Sequence, residues 1–155
     1  MDKQNKTTPQ SFDFNKLEST FDLYFGKKAP SIPTGIKQFI VSVAPWVTLL
    51  GIAMGAIALL AILGITSMVL PVAFVGGLSV GFNYLAANVF SVITLIIQIM
   101  AVQGLFKRQK KAWNLIYYLV LINAVYLLVT FNIGGLIVST LIGLYILFQI
   151  KEYYK

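Results

Sequence analysis

Residues 38–106 read QFIVSVAPWVTLLGIAMGAIALLAILGITSMVLPVAFVGGLSVGFNYLAANVFSVITLIIQIMAVQGLF, a run of 69 residues without one Asp, Glu, Lys, Arg or His. A second uncharged run covers residues 112–150. A helix needs about 20 predominantly apolar residues to cross roughly 30 Å of hydrocarbon. The second run therefore holds two spans, and the first holds two spans and an apolar connector. The expected fold is all-α: an integral membrane bundle of four transmembrane helices, preceded by an N-terminal amphipathic interfacial helix.

Composition excludes an ordinary soluble domain. The 155 residues are 58% hydrophobic and only 11% charged, against about a quarter charged in soluble proteins. The chain has neither Cys nor His, so no disulfide framework and none of the usual zinc, haem or iron–sulfur ligand sets is available. No cofactor and no metal are expected.

The net charge of +7 comes from twelve Lys and Arg against five acids, and the basic residues are unevenly placed. Lys3, Lys6, Lys16, Lys27, Lys28 and Lys37 precede the first span, and Lys107, Arg108, Lys110 and Lys111 occupy the central loop. Lys151 and Lys155 follow the last span, and the other two loops have none. Basic residues beside span ends orient membrane proteins with that side cytoplasmic. Both termini and the central loop are therefore expected inside, in a multi-pass plasma-membrane protein. Lys107, Arg108, Lys110 and Lys111 are placed to meet anionic headgroups. Topology accounts for this cluster, so no nucleic-acid partner is expected.

Turn residues and interfacial aromatics divide the chain into a cytoplasmic N-terminal segment (1–37), a membrane domain (38–150) and a cytoplasmic tail (151–155). Spans are expected at about 38–64, 81–106, 112–131 and 134–150, with Pro45 near the start of the first. The connector 65–80, with Pro71, Gly76 and Gly77, is expected in the outer interface or dipping back as a short half-helix. In the N-terminal segment, Phe14, Leu17, Phe21, Tyr24 and Phe25 recur at helical spacing over about 13–25, with Asp13 as N-cap and Gly26 as stop. That helix is expected to lie in the interface, to fold under the bundle, or to dock a partner. Residues 1–10 are polar and expected to be disordered.

Small residues mark expected packing seams, because lipid is as apolar as leucine and helix association relies on close backbone approach. One seam comprises Ala44, Thr48, Gly51, Gly55 and Ala58 in the first span; the other comprises Gly135, Ser139 and Gly143 in the fourth. The second span adds a polar face, Asn83, Ser91, Thr94 and Gln98, which with Asn123, Tyr126 and Thr130 of the third makes a candidate polar interior. Interhelical hydrogen bonding is one use of that interior, and a hydrated or substrate-lined path is another.

No catalytic constellation emerges. All five acids, Asp2, Asp13, Glu18, Asp22 and Glu152, lie outside the spans, and no serine has a His or a membrane-embedded Lys to activate it. An enzyme is not expected.

Leu17 to Pro33 (LESTFDLYFGKKAPSIP), Gly104 to Tyr118 (GLFKRQKKAWNLIYY) and the ending LYILFQIKEYYK resemble segments of a family of small, uncharacterised four-span bacterial membrane proteins. The resemblance implies a bacterial plasma membrane and carries no activity to any residue. Two functional expectations follow. The first is a non-enzymatic packing, scaffold or interaction module, working as a homo-oligomer or with a larger membrane partner. The alternative is a small transporter or pore using the polar face of the second span.

Overall fold

A computed structural model of the protein describes residues 14–155. The expected N-cap Asp13 and the polar residues 1–10 lie outside the described residues. Within them the chain is helical, with no strand: α1 (Phe14–Phe21), a π-helical turn (Asp22–Lys28), α2 (Thr34–Val75), α3 (Leu78–Phe106), α4 (Lys110–Val129), α5 (Ile133–Gln149) and a 3-10 turn (Lys151–Tyr153). The all-α expectation agrees. Three helices, in α2, α3 and α4, are long and apolar enough to cross a membrane; α5 is apolar but has 17 residues.

Consecutive helices pair, α2 with α3, α3 with α4 and α4 with α5. The core lies where the lysines are. Val41, Ala101, Leu105, Trp113, Tyr117, Leu144, Leu147 and Phe148 are all buried there and form one cluster. Trp113 stacks on Tyr117 with ring centroids 5.6 Å apart and meets Phe148 edge-on at 5.3 Å. Its indole N–H donates to the Leu147 carbonyl at 2.9 Å, satisfying one of the acceptors that the last turn of α5 leaves open. The tail closes this end: Lys110 N–H donates to the Lys155 carbonyl (2.7 Å), and Lys155 N–H donates to that of Arg108 (3.0 Å). Here α3 and α4 approach closely, since a Cβ at Gly104 would lie 2.8 Å from that of Ala112.

The first span differs from its expected bounds. Instead of stopping at Gly64 and giving way to a connector over 65–80, α2 stays helical through Pro71 to Val75. An isolated Gly costs a helix only about 1 kcal/mol relative to Ala, too little to end an apolar helix, whereas reversal of the chain needs a backbone that side chains resist. Gly77, at φ 121°, supplies it, and the connector shrinks to Gly76 and Gly77.

At 42 residues α2 is about 63 Å long, α3 about 44 Å and α4 about 30 Å. Phe90 of α3 stacks on Tyr126 of α4, centroids 4.3 Å apart. From that register, roughly the first eight residues of α3 extend beyond the α4–α5 turn, about 12 Å. Met68, Val72, Val75 and Leu78, all strongly exposed, lie on the projecting α2–α3 hairpin.

The N-terminal segment folds against the end of α5. Expected as one helix over 13–25 stopped by Gly26, it runs as α1 to Phe21 and then widens, with Ala29 N–H reaching the Tyr24 carbonyl at 2.9 Å, and continues past Gly26 to Lys28. The wider turn leaves Phe21 and Phe25 packed on the core and turns Tyr24 outward, where the Lys28 ammonium lies 4.9 Å over its ring. Buried Gln149 holds the segment: its amide donates to the Phe25 carbonyl (2.8 Å) and accepts from Ile32 N–H (3.2 Å). Tyr145 adds a bond from its hydroxyl to the Pro30 carbonyl at 2.6 Å.

Candidate functional site

The small-residue stripe of α2 and the polar stripe of α3 meet. Gly51, Gly55 and Ala58 form one wall of a groove of about 180 Å³, and Ser91, Thr94 and Gln98 stand on the other, with Leu59, Ile62, Phe90 and Leu95 completing it. Ala44 and Thr48, further along the same stripe, line a smaller cavity of about 80 Å³ where α2 meets Trp113, Leu147 and Tyr154.

The glycines in the groove are not forced into backbone contact. A Cβ at Gly51 would lie 3.6 Å from Gln98 Oε1, and one at Gly55 would lie 3.4 Å from Leu95 Cδ1, both ordinary van der Waals distances. Glycine here opens space between helices. The approaches that do require glycine are at Gly104 and at Gly81, where an added Cβ would collide with the Phe74 ring. Sequence reasoning singled out neither, because a GxxxG spacing reports a face and not the distance to whatever lies across it.

Polarity in the groove is unevenly satisfied. Ser91 donates to the Ala87 carbonyl of its own helix at 2.8 Å, a common resolution for hydroxyls in helices. Thr94 Oγ1 is buried and has no hydrogen-bond partner among the described residues. An unpaired hydroxyl buried in apolar surroundings costs about 1–3 kcal/mol.

The other residues of the expected polar interior are distributed elsewhere. Asn83 is exposed on the projecting hairpin. Asn123 Nδ2 donates to Ser139 Oγ at 3.1 Å and so joins α4 to α5. Tyr126 faces α3 through its stack on Phe90, and Thr130 donates to the Tyr126 carbonyl at 2.9 Å. On α5, Gly143 faces Val120 of α4, while Gly135 N–H is held by its Asn132 cap at 2.9 Å. Two polar groups in the apolar run were missed: Asn88, bonded to the Tyr84 carbonyl at 2.8 Å, and Tyr84, whose hydroxyl lies 3.5 Å from Thr66 Oγ1 across α2 and α3. Their signal was an aromatic beside an amide at helical spacing.

At the opposite end from the α2–α3 turn, Lys107, Arg108, Lys110 and Lys111 are exposed. Lys151 pairs with Glu18 (3.0 Å) and Asp22 (3.4 Å), and Lys37 with Glu152 (3.1 Å). Burial pushes the Tyr154 hydroxyl above its ordinary titration range, partly offset by Arg108, so the phenol is neutral near pH 7. Among the described residues no three His, Cys, Asp or Glu converge as metal ligands.

No family model matches the chain, and no curated protein or solved structure matches it.

Proposed function

We propose that the chain is a four-span membrane protein with both termini and the lysine loop cytoplasmic, acting as a non-enzymatic interaction module that pairs with a second copy of itself through the α2–α3 groove. The observation that carries this reading is the groove, in which the small residues of α2 leave room opposite Ser91 and Gln98 of α3. Side chains to fill it stand on the same helix, since Met54, Ile57 and Leu60 of α2 are all strongly exposed. A two-fold arrangement would then bury each copy's α2 side chains in the other's groove, as isologous contacts do. Topology follows the positive-inside rule. α5 counts as the fourth span because it returns the chain to the level of the lysine loop, where Lys155 pairs with Arg108 and Lys110.

Against a pore, the groove and the lysine-lined cleft at the basic end share no lining residue. The test is Gly55→Leu, which places a side chain in the groove. The variant should unfold at or slightly above the wild-type temperature while losing the dimer seen by cross-linking in lipid nanodiscs. A wild type that is monomeric across a hundredfold range of protein-to-lipid ratio would overturn the proposal. Robust solute flux in proteoliposomes, lost in a folded variant with Asn83, Ser91 and Gln98 made apolar, would replace it with a transporter.

A further inference from the structure

A cavity at the basic end lies outside the α2–α3 groove, and it stands independently of what occupies that groove. It holds about 420 Å³ and is walled by Asp22, Gly26 and Lys27 of the π-turn, Lys37 of α2, Lys110 of α4, Phe148 and Gln149 of α5, and Lys151, Glu152 and Tyr154 of the tail. Three stretches far apart in sequence, 27–37, 110 and 151, thus bring four lysines to one cleft. Two carboxylates, Asp22 and Glu152, share it.

Charge pairing is incomplete. Lys151 is engaged by Glu18 and Asp22, and Lys37, whose side chain is only 13% exposed, by Glu152, which is itself 64% exposed. Lys27 and Lys110 have no carboxylate within 4 Å among the described residues. Lys110 is also the first residue of α4, where its N–H is already taken by the Lys155 carbonyl, so what it offers the cleft is its ammonium group. Gln149, buried in the floor, already spends its amide on Phe25 and Ile32, and Tyr154 is neutral, so neither offsets the lysines. Lining charges therefore leave two ammonium groups uncompensated in a cleft of small-molecule size.

We propose that this cleft binds a phosphate group, with Lys27 and Lys110 as its principal contacts and Lys37 as a third once the exposed Glu152 swings away. Lysine acts on phosphate as a point charge with three donors, which suits a cleft that offers ammonium groups from several directions without a rigid fork. The same chemistry is carried by the headgroup of an anionic phospholipid and by a free phosphorylated solute. Basic pockets beside membrane helices commonly take headgroups.

The experiment uses the full chain in neutral detergent and follows thermal unfolding in two titrations at constant ionic strength. One arm adds inorganic phosphate against chloride. The other adds short-chain phosphatidylglycerol against short-chain phosphatidylcholine. At least one arm should give a saturable rise in midpoint, and the phosphatidylglycerol arm alone would identify the source as lipid, the phosphate arm as a solute. Lys27→Gln combined with Lys110→Gln should weaken the apparent affinity about thirtyfold, from roughly a fivefold factor for each lysine near a phosphate surface. Lys16→Gln, an exposed lysine of α1 that does not line the cleft, should change it less than twofold. Absence of a saturable rise in both arms would overturn the proposal. So would an equal loss in the Lys16 variant, because binding would then follow net charge and not the cleft.

Discussion

Replacing Gln149 with Leu removes the amide that joins the N-terminal segment to α5. Gln149 is 2% exposed and makes two hydrogen bonds to backbone groups more than a hundred residues away, 2.8 Å to the Phe25 carbonyl and 3.2 Å from Ile32 N–H. Leucine is close in volume and leaves the core near Phe148 filled, so the change isolates the polar contribution. Each bond contributes about 1 kcal/mol net, and a backbone group left buried without a partner costs about 1–3 kcal/mol. Phe25 and Ile32 are partly exposed and reach water after a small movement, so the lower figure applies to each. The total is about 2 kcal/mol, lost from the segment between Phe21 and Thr34 on local opening and not from the packing of α2 to α5. Such a loss raises the open population about thirtyfold. Lys27 and Lys28 lie inside that segment and are exposed, so trypsin cleavage there, where it tracks the open population, should accelerate by the same factor in the folded variant. Cleavage within threefold of wild type, with unchanged amide exchange over 22–33, would refute the assignment of Gln149 as the tie.

Single cysteines at Gln109 and Asn132 lie in turns at opposite ends of α4 and should react with a membrane-impermeant maleimide from opposite sides; labelling of Gln109 from outside intact cells would reverse the orientation. Arg108 adopts φ 52° in the α3–α4 turn, a left-handed backbone that costs a side-chain-bearing residue about 1–2 kcal/mol, so Arg108→Gly should raise the unfolding midpoint by a few degrees. A lower midpoint would mean that its guanidinium contributes more than the backbone costs.

Helical class was legible because hydrophobicity is a local property. Two uncharged runs, punctuated at Lys107–Lys111 and at Asn132, specify helices wherever backbone groups must bond internally. The α4–α5 turn was readable on the same terms, from Asn132 with Gly134 and Gly135 behind it. Gly64 misled, since one glycine in an apolar helix resembles a boundary, and only the positive φ at Gly77 distinguishes a reversal from a pause.

Which helix each stripe faces was not legible. Ser91, Thr94 and Gln98 turn to α2, and Asn123 turns to Ser139 of α5, although sequence places all four on equivalent-looking faces. In apolar helices the face toward lipid and the face toward a neighbour have nearly the same composition, so periodicity cannot rank them. The lysine-lined cleft was equally hidden, since Lys27, Lys37, Lys110 and Lys151 lie in three separate stretches. The sequence by itself determined that the chain forms long apolar helices with its basic residues gathered in three segments, because burial of backbone and exclusion of charge act residue by residue. Tertiary structure alone decided that Gln149 holds Phe25, 124 positions away, that glycine enforces contact at Gly81 and Gly104 but opens a groove at Gly51 and Gly55, and that four lysines share one cavity. Each depends on the distance between helices, which no local pattern encodes.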